Sequence, residues 1–306
     1  AKASWASSYY FDGYLAEVNF IDGQTLTSSS FGQTNPANGV WQPKKYTGTY
    51  GTNGFYLPFS NIALTSGSNT GLGQDFSGNG NYWTTNNISV TSGVTYDAMI
   101  DSPTLGTVGT QPPGNYCVLN PIYYNSYSGN TLAANLQINS PTTDGFIPGT
   151  MAASSGKWYY EASMTNSTAA AFILGIVKTG VNSTSTELRN VGTGNGYSYL
   201  SSTGVKSDGS GGAGTAYGAT FTTGDVIGVA YDLDAGSITF YKNNVSQGVA
   251  YSGFSGEFMP AIGDAASGTG GQTAWVNFGQ RPFAYTPPTG YQALCTTNLP
   301  NSTIPQ

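Results

Sequence analysis

The sequence offers few side chains that could carry out chemistry. It contains no histidine, which removes the commonest general base, the Ser-His-Asp and Cys-His arrangements and most zinc sites. Paired carboxylates could still hydrolyse a glycoside, but the glutamates are only Glu17, Glu161, Glu187 and Glu257. Glu17 and Glu161 alternate with apolar neighbours in predicted strands, so we expect both to face solvent. The other two fall in predicted loops. We therefore predict that the chain is not an enzyme and has no catalytic residue, with a polysaccharide hydrolase as the least favoured alternative.

Metal and phosphate sites are also weakly supported. Asp232 and Asp234 stand at a turn and offer hard oxygen ligands for calcium. An Asp that ends a strand before a glycine turn more often accepts hydrogen bonds from backbone amides, and we favour that interpretation. We interpret three loop aspartates, Asp75, Asp97 and Asp101, in the same way. Gly192–Gly196 (GTGNG) lacks the lysine and the following helix of a phosphate loop. We predict no metal and no cofactor.

The composition favours strands over helices. Charged residues make up 8% of the 306 residues, whereas the sequence contains 43 Gly and 22 Tyr. Long helices use Leu, Glu, Lys and Arg, while Tyr, Thr and Val favour strands and Gly and Asn favour turns. We predict an all-β protein with long polar loops. Such loops are typical of adaptable binding surfaces; the alternative is that they only keep β-sheets soluble outside cells.

Charge and hydropathy limit the partners. The formal charge is −6, so a polyanion is repelled on average and nucleic acid is not an expected partner. No apolar run approaches the ~20 residues that span a bilayer, so we expect no membrane insertion. There is no secretory signal pattern. The chain begins with Ala in what resembles the middle of a domain, which indicates a processed product or a missing upstream portion.

The region from Gly224 to Val249 organises the rest of the chain. Val226–Asp232, Ser237–Lys242 and Val245–Val249 are short runs rich in β-branched and aromatic residues. Asp234-Ala235-Gly236 and Asn243-Asn244 are turns between them. This pattern predicts a three-stranded antiparallel meander, which must bury one face against a second sheet.

The first third of the chain is rich in loops. Tyr14–Phe20 alternates like a strand but has no evident partner, so it either pairs within this chain or completes a sheet in another subunit. Gln33–Pro113 is rich in Gly, Asn, Thr and Pro, with recurring aromatic residues that we expect to pin ordered loops. We predict a terminal strand segment at 1–32, a connector at 33–113 and a β-sandwich at 114–306.

Two cysteines, Cys117 and Cys295, flank the predicted sandwich. They could meet where its first and last strands come together, and a disulfide there would contribute about 4–5 kcal/mol. Two buried thiols are the favoured alternative.

The meander also resembles the core signature of SPRY (B30.2-like) domains. The resemblance covers roughly Tyr116 to Pro300. It rests on five ordered motifs: GKWYYEASM (156–164), ILGIV (173–177), GDVIGVAYDLDAGSITFYKNNVSQG (224–248), FMPAIG (258–263) and WVNFGQRPF (275–283). It implies a bent antiparallel β-sandwich that binds partners through loops and does not catalyse a reaction.

A second resemblance covers the region before this sandwich. FDGYLAEVNFIDG (11–23) resembles the closing strand of a concanavalin/laminin-G-like jelly roll, without the strands that normally precede it. Together, Phe11–Phe59, Leu72–Val90 and Asp97–Pro103 resemble an arrangement found in tailed-phage virion proteins. This implies a tail fibre, spike or capsid-decorating protein on the particle surface, which forms a homo-oligomer, contacts other virion proteins and binds a host-surface glycan or protein. The alternative is a secreted bacterial carbohydrate-binding or adhesin module.

Five aromatic residues are the predicted ligand contacts. They lie in or beside the loops that SPRY-like domains use for binding: Tyr197, Tyr199, Tyr217, Tyr251 and Trp275. Tyr and Trp stack on sugar or peptide with little loss of entropy. The alternative for each is a packing role in the core or in a loop.

Overall fold

A computed structural model describes residues 14–34, 41–65, 67–91, 97–99, 115–121, 130–132, 135–139, 144–166, 172–181, 187–265 and 272–299. Asp101, one of the aspartates considered above, lies outside these ranges. The described chain is almost entirely β, as the composition predicts, and its helices are two 3-10 turns, Ser28–Ser30 and Leu188–Asn190. No helix in the described ranges is long and apolar enough to cross a bilayer.

The chain folds into two compact units. Unit 1 comprises Ala1–Thr91 and Thr95–Asn115, and unit 2 comprises Ser92–Val94 and Tyr116–Gln306. The division into three segments expected from the sequence stays a prediction.

The described part of unit 1 contains two small antiparallel sheets. One pairs β1 with β4 and the other pairs β2 with β3; the strands are β1 (Val18–Phe20), β2 (Gly32–Thr34), β3 (Trp41–Pro43) and β4 (Phe55–Leu57). The strand without an evident partner in the sequence therefore pairs within this chain. Rings pin the loops as expected, because Tyr46 lies between Phe31 (centroids 5.4 Å apart) and Tyr50 (5.2 Å).

Unit 2 is a sandwich of two antiparallel sheets. The first has the order β12-β11-β10-β9-β16-β7, and the second has the order β15-β14-β13-β8-β17-β6-β5, with β18 paired to β8. The first sheet comprises β7 (Gly145–Pro148), β9 (Phe172–Lys178), β10 (Gly196–Leu200), β11 (Val205–Ser207), β12 (Thr215–Ala216) and β16 (Phe258–Asp264). The second comprises β5 (Asn130–Leu132), β6 (Gln137–Asn139), β8 (Lys157–Asn166), β13 (Val226–Asp232), β14 (Ser237–Lys242), β15 (Val245–Tyr251), β17 (Thr273–Asn277) and β18 (Gln292–Ala293).

The predicted meander is confirmed as β13, β14 and β15. Ile238 and Phe240 share the buried face of β14, as their spacing predicts. Asn243 and Asn244 both adopt positive φ in the second turn, a conformation that Asn tolerates better than most residues. In the first turn, a Cβ on Gly236 would lie 2.0 Å from the Phe254 carbonyl oxygen, so this position requires glycine.

The chain segment after β17 folds back over the second sheet. β18 pairs in parallel with β8, and the ring of Phe283 packs at 5.0 Å on that of Tyr159. Glu161 lies beneath this segment with 2% of its surface exposed. The expectation that Glu161 faces solvent is therefore wrong: its side chain does point away from the sandwich core, but the C-terminal segment covers it.

The two cysteines form no disulfide with each other, and both are buried. Their strands do meet, because Tyr116 bridges Cys295 and the Cys117 amide donates to the Leu294 carbonyl at 3.0 Å. Burial raises the pKa of the Cys117 thiol to about 12, which keeps it protonated and unreactive. The favoured expectation of two buried thiols agrees with the structure.

Candidate interaction surface

One side of the sandwich carries a row of aromatic rings at the place where the edges of its two sheets meet. We call these rings, together with the lysine that lies among them, the tyrosine belt: Tyr197, Tyr199, Lys206, Tyr217 and Tyr251. Its members come from β10 and β11, from the residue after β12 and from the end of β15. The first sheet ends in β11 and β12, and the second sheet ends in β15. The belt therefore joins the two sheet edges.

Lys206 connects the outer rings of the belt. Its Nζ lies 4.7 Å from the ring centre of Tyr251 and 5.5 Å from that of Tyr217. The same Nζ donates a hydrogen bond to the Ala250 carbonyl at 2.5 Å. A cation between two ring faces is held electrostatically, so Lys206 presents one fixed positive charge among aromatic surfaces.

The inner rings of the belt support the outer ones. Tyr197 stacks on Phe254, with ring centres 4.3 Å apart. Tyr199 has no exposed surface, and its ring meets that of Tyr217 edge-on at 5.3 Å. The structure thus places Tyr197 and Tyr199 as packing residues, whereas the sequence indicated contact residues. Tyr217 and Tyr251 are only partly buried and are the rings that a partner could touch.

The neighbouring edge strand β15 exposes apolar side chains but protects its backbone. Val245 and Val249 are 64% and 59% exposed. The Tyr217 hydroxyl donates to the Gly248 carbonyl, the Gln247 side-chain amide donates to the Val245 carbonyl at 2.9 Å, and the Gly248 amide donates to Ser246 Oγ at 3.1 Å. Bonded groups along a sheet edge prevent another strand from adding to it. Side-chain contact is therefore the mode of binding that this edge permits.

The carboxylates considered above have structural partners. Asp232 Oδ1 accepts hydrogen bonds from the amides of Asp234 and Ala235 at 3.0 and 2.9 Å, and its Oδ2 pairs with Lys157 Nζ at 2.8 Å. Asp234 Oδ1 accepts from the Gly156 amide at 2.8 Å. The expectation that these carboxylates bind backbone amides is confirmed. Within the described ranges, no three Cys, Asp or Glu side chains are grouped closely enough to hold a metal.

The glutamates likewise have separate surroundings. Glu17 is partly buried, rather than solvent-facing as expected, and accepts a hydrogen bond from the Tyr56 hydroxyl. Glu187 is buried and pairs with Arg189, with Nε and Oε2 2.7 Å apart. Glu161 accepts hydrogen bonds from the C-terminal segment, and Glu257 is exposed. Each of the four therefore has its own partners or faces solvent alone.

Comparison with known proteins agrees with this architecture. Residues 157–281 match the SPRY domain family. The chain contains a SPRY domain. Ran-binding protein 10 of Danio rerio is 41% identical over 76 residues, which are 25% of this chain and 12% of that protein. The E3 ubiquitin-protein ligase RKP of Arabidopsis thaliana is 41% identical over 80 residues, or 26% of this chain and 6% of that protein. The chain thus covers only a small part of these relatives.

The SPRY domain of human HERC1 superposes with a TM-score of 0.43 at 17% identity, covering 52% of this chain and 96% of that one. The relatives named above are eukaryotic proteins, and they do not support the resemblance of unit 1 to tailed-phage virion proteins.

The fifth predicted contact lies apart from the tyrosine belt. Trp275 is on β17, four strands from β15 in the second sheet of the SPRY domain, or about 19 Å at the usual strand spacing. Its ring is partly exposed and carries the Arg281 guanidinium carbon 5.2 Å from its centre. The structure therefore brings four of the five predicted residues together and leaves Trp275 on a separate part of the domain.

Sequence reasoning missed three residues of this surface, Lys206, Val245 and Val249. The sequence did carry a signal for the valines. They lie in a short run with Ser, Gln and Gly, and this composition is unusual for a strand that is buried on both faces. Tyr217 lies two residues beyond Thr215, which pairs with Lys206 in the β11–β12 hairpin, but nothing local to Lys206 indicates that Tyr251 reaches it from β15.

Proposed function

We propose that this chain is a non-enzymatic binding protein whose SPRY domain holds a protein partner through the tyrosine belt and the exposed face of β15. SPRY domains typically serve protein–protein interaction. The observation that carries the proposal is the combination of two part-exposed tyrosines, a fixed lysine charge and two exposed valines on one edge. Tyr is enriched at the centres of protein interfaces.

The chemistry of the surface indicates what the partner presents. Lys206 is held by ring faces and by a backbone carbonyl. A partner that brings one carboxylate beside apolar side chains would therefore satisfy both the lysine and the valines. This partner would bind by side chains, because the backbone of β15 is already bonded.

Paired variants of the purified chain test the proposal. Val249→Asp places a charge on the apolar face, and Tyr251→Ala removes a ring beside Lys206. Both should reduce recovery of one defined partner, identified by cross-linking to the native chain in an extract of purified particles or host cells, by at least tenfold. Thr193→Ala, at an exposed loop position in the same domain, is the matched control. Equal recovery of that partner by all four proteins would refute the proposed surface.

For the biological setting, we propose the surface of a tailed-phage particle, where the chain acts as a tail fibre, spike or decoration protein in several copies. The support is the order of the sequence motifs YGTNGFYL (50–57), LGQDFSGNGNYWT (72–84) and DSPT (101–104) ahead of a SPRY domain. Its partners would be other virion proteins and a host-surface glycan or protein.

Mass spectrometry of density-purified particles tests this setting. The chain should be recovered in stoichiometric amounts from particles and should be depleted from the soluble fraction. Particles that lack the chain would refute the virion setting and favour a secreted adhesin, while leaving the SPRY surface open to its own test.

A further inference from the structure

Unit 1 displays an aromatic cluster that the proposed function does not use. Phe20 on β1 and Phe55 on β4 stack with ring centres 5.3 Å apart and planes 14° from parallel. Trp83 meets Phe55 edge-on at 5.5 Å. Phe20 and Trp83 are 49% and 53% exposed. We call these three residues the aromatic platform.

The platform is held by a rigid loop. Asp75 is buried and accepts hydrogen bonds from the amides of Tyr56 and Asn81 at 2.9 and 2.8 Å. The Asn81 side-chain amide donates to the carbonyls of Thr52 and Gly54, both at 3.0 Å. These bonds tie the loop that carries Trp83 to the turn before Phe55.

Further bonds fix Trp83 itself. Its backbone amide donates to the Gly73 carbonyl at 2.8 Å. Gly73 allows this approach, because a Cβ there would lie 1.8 Å from the Trp83 carbonyl oxygen. The indole is therefore exposed on a fixed backbone, which reduces the entropy that a ligand must remove when it binds.

The carboxylates near the platform already have hydrogen-bond partners, because Asp22 accepts from Asn53 and Glu17 accepts from the Tyr56 hydroxyl. From Tyr46 to Thr91 the sequence contains one charged residue, Asp75, and its carboxylate is buried and already bonded to backbone amides. The remaining polar residues of this stretch are chiefly Ser, Thr, Asn and Gly. An ionic ligand would find no opposite charge in this stretch, whereas a neutral ligand rich in hydroxyl groups would match its amides and hydroxyls.

The size of the platform also decides between partners. A large aromatic side chain contributes about 150–250 Å², so two half-exposed rings offer roughly 200 Å². A stable protein interface needs about 800 Å² on each partner. Roughly 200 Å² matches one or two sugar rings, whose C–H faces stack on aromatic side chains while their hydroxyls bind neutral polar groups.

We propose that the Phe20–Phe55–Trp83 platform of unit 1 is a binding site for a neutral saccharide. The site is independent of the SPRY surface, since it uses other residues in the other unit and requires no protein partner.

Titration of the full chain with maltohexaose, cellohexaose and chitohexaose tests the proposal. Indole fluorescence and the indole N–H resonances of the chain report binding. At least one of these oligosaccharides should bind and should perturb Trp83. Trp83→Ala and Phe20→Ala should each weaken that affinity at least tenfold, and Trp83→Tyr should retain part of it. Trp41→Ala is the matched control, since Trp41 is also 53% exposed but lies on the separate β2–β3 sheet.

Several results would overturn the inference. They are absence of binding by all three oligosaccharides at millimolar concentration, equal loss of affinity in the Trp41 variant, and preferential binding of heparin, a polyanion. A change of oligomeric state in Trp83→Ala or Phe20→Ala, measured by analytical ultracentrifugation, would instead identify the platform as a protein contact. Unchanged far-UV circular dichroism and an unchanged melting temperature in Trp83→Tyr show that the fold is intact.

Discussion

Replacement of Glu161 by alanine should release the C-terminal segment from the SPRY domain. The carboxylate accepts three hydrogen bonds: Ala284 N–H donates to Oε2 at 2.7 Å, and Tyr285 N–H and the Tyr159 hydroxyl each donate to Oε1 at 3.0 Å. Alanine removes the acceptor of all three donors. The packing of Phe283 on Tyr159 then holds the segment near this point with less support.

The size of the effect follows from opposing contributions. Alanine leaves up to three donors without an acceptor, and an unsatisfied buried donor costs about 1–3 kcal/mol. Removal of the buried carboxyl group also relieves its burial cost, which offsets part of this loss. The free energy that holds the C-terminal segment against the domain should therefore fall by about 2 kcal/mol, which corresponds to a roughly 30-fold increase in opening of the segment. Glu161→Gln should lose less, because its oxygen can still accept from Tyr285 and Tyr159.

The pH dependence gives the second measurement. Burial raises the pKa of Glu161 above its ordinary value of 4.5, although the bonds from Ala284, Tyr285 and Tyr159 partly offset this. The folded state therefore binds the proton more tightly than the unfolded state does. The stability that this group contributes is fully present below pH 4.5 and declines as the pH rises through the folded-state pKa. The alanine variant should lack this decline.

Hydrogen exchange of the Ala284 and Tyr285 amides measures the opening directly. Exchange should accelerate about 30-fold in Glu161→Ala and by a smaller factor in Glu161→Gln. The control variant Glu257→Ala, at an exposed position, should leave it unchanged. Exchange in Glu161→Ala that stays within threefold of the native rate would refute the role assigned to this carboxylate.

Three further predictions follow from the fold. Burial raises the pKa of Asp75, but the hydrogen bonds from Tyr56, Ser77 and Asn81 together lower it by more. The pKa of Asp75 is therefore below its ordinary value of 3.8. The stability that this carboxylate contributes should be present above pH 3.8 and lost on acidification. The pH midpoint of acid unfolding of unit 1 should therefore shift in Asp75→Asn. Gly236→Ala should destabilise the SPRY domain by about 1–3 kcal/mol, measured by denaturant unfolding; a loss under 0.5 kcal/mol would contradict the contact at this turn. The thiols of Cys117 and Cys295 should react with Ellman's reagent only after unfolding, and a reductant should leave the melting temperature unchanged; fast reaction in the native state would contradict their burial.

Strands whose partners follow directly in sequence were predictable. The meander β13–β14–β15 follows from alternation and from turn residues at Gly236 and Asn243, because each feature acts within a few positions. Alternation also assigned Glu161 correctly to the face of β8 that points away from the core. It could not reveal that residues 283–285 cover that face, since this contact spans more than 120 positions.

The candidate surface shows the same limit. The sequence identified tyrosines as contact residues by type, yet Tyr199 is fully buried and Tyr217 is only partly buried, although both lie near loops. Whether Tyr199 or Tyr217 is the more deeply buried depends on how the edge of the second sheet packs against the edge of the first. Lys206 shows this most clearly, because the Tyr251 ring and the carbonyl acceptor of Ala250 come from β15, more than 40 positions away.

The bridge between Tyr116 and Cys295 has a consequence for how the SPRY domain connects to other chains. Entry and exit of the polypeptide lie side by side on two antiparallel segments, so the domain can be inserted into a surface loop of an unrelated carrier without stretching either junction. Such a graft of residues 115–299 should fold in its new host, and it offers a direct way to present the SPRY surface separately from unit 1.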